Sequence, residues 1–287
     1  MNRWNVMQKP SLSNAALKNT AYLIMLIDHF FAVVFTEIIR RYSAAGYETG
    51  TLVDIRSAGR AVGRIAFVLF AYLIVEGFVH TRSRLNYLMR LTLFAFLSEI
   101  PNDLAFKGHV VDCSSQNIFF TLCISLLVLT VWEWAENNLG MLNRPKAHRD
   151  IGWYACTVTF RSIQFGALLA GCGLAYILRA EYKYMGVLLI FTFYILRDKP
   201  LFIKAVPVAC VLFFGIWSIN ILRYAGIDTP EAIFRFSLRE LYGLFAFVPI
   251  ALYDGQKGRQ LPKAVCYGFF PVHLLLLYTI SQMISVS

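Results

Sequence analysis

Long apolar runs separated by short polar turns recur through most of the chain, and this pattern most constrains its fold. A transmembrane helix needs about 20 mainly apolar residues. Of the 287 residues, 58% are hydrophobic and 15% are charged, whereas an average soluble domain is about 25% charged. Inside a bilayer each spanning segment must satisfy its own backbone hydrogen bonds, which favours helices. The sequence therefore predicts an all-α fold: a polytopic transmembrane helical bundle that forms a single domain over residues 1–287.

The apolar runs predict about nine helices arranged around a polar central cavity. The turns "RDKP" and "DGQKGRQLP" separate neighbouring runs clearly. The two longest linkers, 40–60 and 136–151, are too short to hold a soluble domain. The sixth predicted span is short, so it could be broken, tilted or partly re-entrant. The predicted spans cover residues 17–39, 62–80, 86–107, 116–135, 155–178, 184–197, 201–222, 234–254 and 263–285.

The placement of basic residues predicts the orientation of the bundle. The side that holds the N-terminus carries the larger share of the 27 Lys and Arg residues, so the positive-inside rule predicts a cytoplasmic N-terminus and a C-terminus outside. The first apolar run is long and lacks a small-residue cleavage site, so we expect it to be retained as a helix. The Lys and Arg residues that give the net charge of +10 lie in short loops between the apolar runs. They form no separate basic stripe with interleaved aromatics, so we expect no nucleic-acid partner.

The six cysteines do not suggest a covalent framework or a metal site. None of them forms a C-x-x-C pair, and most lie inside apolar runs, where cysteine behaves as a small hydrophobic residue. We therefore expect neither a disulfide framework nor a bound metal.

Two adjacent ionisable residues interrupt the first span. In "LIMLIDHFFAVVF", Asp28 and His29 stand near the middle, where a charged side chain costs roughly 2.5–3.5 kcal/mol. Neighbours on a helix do not face each other, so the two side chains need separate partners. A neutral imidazole suits general-base chemistry, although a buried structural hydrogen bond is an equal alternative. His273 follows Pro271 at a similar depth in the last span, which favours both histidines lining one cavity.

Further polar residues recur at one-turn spacing in the second to fourth spans. The Gly59-x-x-x-Gly63 spacing predicts a close approach by a neighbouring helix. "HTRSR", at the end of the second span, could grip phosphate groups or could simply set topology. Three further pairs at this spacing are Glu76 with His80 near the cytoplasmic end, and Glu99 with Asp103 and Asn117 with Thr121 toward the outside. Glu99 and Asp103 could contact substrate or form ion pairs with Arg64, which should lie at a similar depth.

Several of these stretches together resemble the TraX family of integral-membrane proteins. The resemblance covers most of the chain in matching order and is weakest over 132–235. It is carried jointly by the stretches "MLIDHF", "GRIAFVLFAYLIVEGFVHTRSR", "YLMRLTLFAFLSEIPNDLAF", "NIFFTL", "LFAFVPIALYDGQKG" and "FPVHLLLL".

This resemblance implies a membrane acetyltransferase of the bacterial inner (plasma) membrane. TraX proteins are associated with N-acetylation of pilin in conjugative systems, and related membrane acyltransferases use cytoplasmic acetyl-CoA. The family comparison implies that His29 is the catalytic residue, oriented by Asp28 or Glu99. It implies that the acceptor and the oxyanion contact Arg64, Asp103, Asn117, Thr121 and His273. It implies that CoA contacts Glu76, His80, Arg82 and Arg84.

The expected partners are therefore the lipid bilayer, acetyl-CoA as co-substrate, and a protein, peptide or glycan acceptor with an amine or hydroxyl group. Two other functions remain open on the sequence: a transporter or flippase with a polar path, and a non-catalytic membrane protein of pilus assembly. A transporter often shows internal inverted repeats, and we find none in this sequence.

Overall fold

The computed structural model describes residues 11–141, 151–224 and 226–286. Every regular element in these ranges is helical, which confirms the all-helical prediction. We number the helices in chain order and treat the 3-10 segment Arg239–Ala246, between α10 and α11, separately. The helices are α1 (Asn14–Ala32), α2 (Val34–Ala44), α3 (Gly50–His80), α4 (Arg84–Leu97), α5 (Glu99–Lys107), α6 (Ile118–Met141), α7 (Ile151–Ile177), α8 (Lys183–Ile195), α9 (Leu201–Tyr224), α10 (Pro230–Leu238), α11 (Phe247–Ala251) and α12 (Lys263–Val286).

Polar residues between the apolar runs set where several helices begin. The Ser13 hydroxyl accepts a hydrogen bond from the backbone N–H of Ala16 at 3.3 Å and so caps α1. Thr229 caps α10 in the same way and is followed by Pro230, whose missing N–H is harmless in the first turn. These hydroxyls satisfy backbone groups that a helix end would otherwise leave without a partner.

Six helical stretches are long and apolar enough to cross a membrane, which makes the chain an integral membrane protein. The predicted count of about nine is not confirmed, because only six stretches within the described ranges have the required length and composition. The candidate spans are Asn14–Ala44, Gly50–His80, Ile118–Gly140, Ile151–Ile177, Leu201–Tyr224 and Lys263–Ser285.

The other predicted spans are interrupted or short. The run 86–107 breaks at Ser98 between α4 and α5, and Pro101 lies in the first turn of α5, where it disturbs no helical hydrogen bond. The run 234–254 divides into α10, the 3-10 segment and α11. Helix α8 has 13 residues, so it is about 20 Å long and shorter than a hydrocarbon core of about 30 Å.

Helix α3 lies at the centre of the fold. It packs against α1, α8 and the 3-10 segment, and its Leu69, Ala71 and Phe78 side chains are fully buried. Helix α7 is also long and apolar, but its most apolar stretch is mostly exposed, with 17% of it buried. An exposed apolar helix in such a protein is expected to face lipid.

Two glycines of α3 allow α1 to approach closely, as their spacing predicted. A Cβ added at Gly63 would lie 2.1 Å from Asp28 Oδ1, and one at Gly59 would lie 2.1 Å from the Phe31 ring. Such distances are far below van der Waals contact, so only glycine fits at both positions. The absence of these two side chains lets α3 hold Asp28 directly against its backbone.

The two ends of the described chain lie at opposite ends of the bundle. Leu12 pairs with the loop that contains Tyr253 and Asp254, whereas the Arg41 guanidinium at the far end donates to the carbonyl of Ile284. Which end faces the cytoplasm stays a prediction.

Candidate functional site

A pair of histidines joins the first and last helices. His29 Nδ1 of α1 lies 2.7 Å from His273 Nε2 of α12, and the two rings are nearly parallel with centroids 4.9 Å apart. Both residues are buried, with 8% and 4% of their surface exposed. This direct contact meets the expectation that both histidines lie at one level. Of the two, only His29 lines the neighbouring pocket, so the expectation that both line one cavity is not confirmed.

Hydrogen bonding assigns the proton positions in the neutral pair. His273 Nδ1 lies 2.7 Å from the carbonyl oxygen of Phe269, which can only accept, so Nδ1 carries the hydrogen and Nε2 is the acceptor. His29 Nδ1 must then donate to His273 Nε2. The lone pair of His29 is consequently on Nε2, the atom that a general base would use.

Asp28 is held by an arginine of α3 rather than by His29. Arg60 Nη1 lies 2.7 Å from Asp28 Oδ2, while His29 Nε2 is 3.9 Å from the same oxygen, beyond hydrogen-bond distance. Asp28 Oδ1 is buried without a hydrogen-bond partner. The carboxylate therefore acts on His29 through its charge, and Arg60 offsets part of that charge.

His29 and Asp28 lie at the deep end of a pocket of about 730 Å³. The other end of the pocket carries four cationic side chains, which we call the basic rim: Lys18, Arg90, Lys257 and Lys263. Aromatic and aliphatic side chains form much of the wall between them, including Tyr22, Phe67, Phe70, Tyr87, Leu91, Phe119 and Phe270. A polar cavity through the centre of the bundle is therefore not confirmed: this pocket runs from one end of the bundle to His29 between largely apolar walls.

The residues predicted to bind CoA divide into two groups. Glu76 and His80 line the pocket, and Glu76 also accepts a hydrogen bond from the Tyr253 hydroxyl at 3.2 Å. Arg84 instead pairs with Glu133 at 2.5 Å. Neither Arg82 nor Arg84 lies among the residues that line this pocket, so the cations at its mouth are those of the basic rim.

A second set of predicted residues forms a closed network away from the pocket. Asp103 Oδ1 lies 2.9 Å from Lys107 Nζ, and Asp103 Oδ2 accepts from the backbone N–H of Asp112 at 2.7 Å. Asn117 donates from its side chain to Glu99, whose pKa is raised by burial and lowered in part by these hydrogen bonds. These contacts join α5 to the start of α6.

Arg64 does not pair with Glu99 or Asp103, the interpretation that its depth suggested. Arg64 Nε lies 3.0 Å from Glu240 Oε1 of the 3-10 segment, and its Nη1 donates to the Tyr182 hydroxyl at 3.4 Å. The Thr121 hydroxyl donates to the backbone carbonyl of Glu181. Both residues thus hold the loop between α7 and α8.

Sequence reasoning missed two kinds of site residue. Glu181 lines the deep end of the pocket, but it lies in a short loop between two apolar runs and so looked like part of a turn. The basic-rim lysines were counted as topology signals. Within the described ranges, no group of three His, Cys, Asp or Glu side chains is placed to hold a metal ion.

Comparisons with known proteins give matches that cover nearly the whole chain. A family model described as "TraX protein" matches residues 13–281. The chain is 25% identical over 278 residues to the "Probable fimbrial assembly protein FimC, serogroup H1" of Dichelobacter nodosus, and the match covers 91% of this chain and 92% of that relative. No solved structure matches the chain. Because the family model spans most of the sequence, as the shared stretches had suggested, the chain belongs to the TraX family.

Proposed function

We propose that this chain is a membrane-embedded acetyltransferase. It moves the acetyl group of cytoplasmic acetyl-CoA to an amine or hydroxyl of a protein, peptide or glycan presented from the other side of a bacterial plasma membrane. The observation that carries the proposal is one pocket that joins the four cations of the basic rim to His29 at its deep end.

The shape and lining of the pocket suit acetyl-CoA. Its volume of about 730 Å³ lies in the range of small-molecule sites, about 300–1,000 Å³. The basic rim matches the phosphates of CoA, and the apolar wall matches the pantetheine arm. Helix α1 rises about 16 Å between Lys18 and His29, a length that an extended pantetheine arm covers. The proposal therefore requires the basic rim to face the cytoplasm.

The histidine pair suits proton transfer between acceptor and leaving group. His29 Nε2 takes the proton of the acceptor group while the acceptor's nitrogen or oxygen bonds to the carbonyl carbon of the thioester. When the tetrahedral intermediate collapses, the C–S bond breaks and the same proton passes to the CoA sulfur. The contact with His273, itself anchored on the Phe269 carbonyl, keeps the His29 ring in the required orientation.

A non-catalytic role in pilus assembly is the second candidate function. The Dichelobacter relative is named as a fimbrial assembly protein, and that name requires no chemistry. A carrier or flippase that uses the pocket as part of a path is the remaining alternative.

Turnover of labelled acetyl-CoA by the full chain in lipid nanodiscs separates these functions. We expect release of CoA and transfer of label to added acceptors, lost in His29→Ala and kept in Cys172→Ala, since Cys172 lies on α7 outside the pocket. Binding of acetyl-CoA without turnover, or passage of intact acetyl-CoA across vesicle membranes without release of CoA, would contradict the enzymatic proposal.

A further inference from the structure

The loop between α7 and α8 has an unusual backbone. Arg179, Tyr182 and Lys183 have positive φ angles of 53°, 61° and 46°. Residues with a Cβ rarely adopt this left-handed conformation, and it persists where the surrounding structure imposes it. The loop is therefore held in a specific shape by its contacts.

Those contacts come from two neighbouring helices. The backbone N–H of Glu181 donates to the Gln116 carbonyl at 2.9 Å, and Gln116 N–H donates to the Arg179 carbonyl at 3.1 Å. From α3, the Phe67 ring stacks on Tyr182 with centroids 3.7 Å apart. Together with Arg64 and Thr121, these groups fix the loop on both sides of Glu181.

The result of this arrangement is a carboxyl group directed into the pocket. The Glu181 side chain is accessible from the pocket that His29 lines. Within residues 11–141, 151–224 and 226–286, no donor forms a hydrogen bond with this carboxyl, unlike Asp28 and Glu240, which pair with Arg60 and Arg64. The fixed loop thus presents an unpaired acid to the same pocket that His29 lines.

We propose that Glu181 is a second proton acceptor of this site, which takes the proton of an acceptor's ammonium group before that amine attacks the thioester. The inference rests on the proposed acetyltransferase function and adds a catalytic residue to it. His29 and Glu181 then handle different protons.

The charges around Glu181 favour this role. Asp28 of α1 and Glu99 of α5 oppose its ionisation, while Arg60 and Arg64 of α3 favour it. Desolvation by the surrounding protein is the largest effect and raises the pKa of Glu181 to about 7, although the side chain itself is open to the pocket. A carboxyl group of this kind can both accept and release a proton near neutral pH.

The proton balance requires two acceptors when the substrate is an ammonium ion. Glu181 takes the first proton and leaves a neutral amine with a free electron pair. The amine nitrogen then bonds to the thioester carbon while His29 takes its second proton, and the C–S bond breaks as His29 returns that proton to sulfur. Glu181 releases its proton to water, so the products are the acetyl amide, CoA thiol and one proton.

The test compares two acceptor probes in the Glu181→Gln variant of the full chain. Glycinamide carries an ammonium group at neutral pH, whereas methoxyamine is already uncharged and needs no first deprotonation. We expect acetylation of glycinamide to fall up to about tenfold, since only about a tenth of such an α-amine is uncharged at pH 7, and acetylation of methoxyamine to stay within about threefold of the wild-type rate. Glu48→Gln, at an exposed position far from the pocket lining, serves as the matched control and should change neither rate.

The outcomes separate this inference from the function on which it rests. Equal effects of Glu181→Gln on the two probes, or no effect on glycinamide, would overturn the role of Glu181 but leave the acetyltransferase intact. Absence of any His29-dependent turnover of acetyl-CoA in the wild-type chain would overturn both. If Glu181→Gln fails to assemble, Glu181→Asp, which keeps the acid but shortens it, should still slow glycinamide selectively; an unselective change would count against the proposal.

Discussion

Two regions of the molecule contain buried acids at a similar level, but they differ in what their polar groups face. Around Asp103, each carboxylate oxygen meets a donor, and Lys107 Nζ also donates to the carbonyls of Asp112 and Ser115. Around Asp28, Arg60 pairs with one carboxylate oxygen, but His29 and Glu181 line a pocket. The comparison shows that buried polarity alone does not identify a functional site. The open volume beside the polar groups separates the two regions.

The largest effect on stability is expected in the closed network. Asp103→Ala removes the nearest carboxylate from the largely buried Lys107 ammonium, which keeps only backbone carbonyls and the more distant Asp112. Breaking such an ion pair costs about 3–5 kcal/mol. Chemical unfolding in detergent should show this loss, while the turnover of the remaining folded protein should be unchanged. Asp112→Ala, whose carboxylate is 3.8 Å from Lys107, should cost only about 1 kcal/mol. A specific loss of turnover in Asp103→Ala would place this network in the active site.

In the pocket region, a change of His273 should lower the rate of turnover rather than the stability of the fold. His273→Ala removes the acceptor for His29 Nδ1, so the proton position and ring orientation of His29 are no longer fixed. We expect the maximal rate to fall about 10- to 100-fold, the usual effect of losing a group that orients a functional histidine, with little change in acetyl-CoA affinity. His273→Gln, which keeps an acceptor oxygen, should recover part of the rate. Equal rates for all three proteins would show that the contact is only structural.

The close approach of α1 and α3 connects packing to the pocket. Gly63→Ala would place a methyl group 2.1 Å from Asp28 Oδ1, and such overpacking costs about 1–3 kcal/mol. We expect lower stability together with slower turnover, since Asp28 must move. The matched variant is Gly166→Ala in α7, where nothing lies within 4 Å of the new Cβ; it should leave turnover unchanged and stabilise the helix by up to about 1 kcal/mol. Similar behaviour of the two variants would contradict the packing explanation.

The smallest effects are expected at the basic rim. Exposed charge pairs contribute about 0.2–1 kcal/mol each, so Lys257→Ala combined with Lys263→Ala should raise the KM for acetyl-CoA about 3- to 10-fold. The difference from wild type should shrink at high salt, because salt screens exposed charges. Lys199→Ala removes an exposed lysine that does not line the pocket and should not change KM. An equal rise in KM with Lys199→Ala would mean that net charge alone attracts the substrate.

The apolar runs predicted the helical class and most of the long helices, because a helix that crosses a bilayer needs about 20 mainly apolar residues in a row. They did not predict the breaks at Ser98 or at the 3-10 segment Arg239–Ala246, since an apolar stretch reads the same whether its helix is continuous or interrupted. The predicted count of about nine spans is not confirmed for this reason.

The positions of His29 and His273 along their predicted helices were enough to place them at one level in the membrane. Such positions could not identify the ion-pair partners. Arg60 and Arg64 share one face of α3, and only the three-dimensional packing shows that Arg60 meets Asp28 while Arg64 meets Glu240. Glu181 was missed because its position depends on a loop conformation with three positive φ angles, for which the sequence contains no glycine as a signal.

The most direct test of the central claim is a cryo-EM structure of the full chain with a ketone analogue of acetyl-CoA, in which the thioester sulfur is replaced by carbon. We predict that the CoA phosphates contact Lys18, Lys257 and Lys263 and that the ketone carbonyl lies beside His29 Nε2. An analogue bound outside the pocket, or bound inside it with the carbonyl remote from His29, would contradict the account.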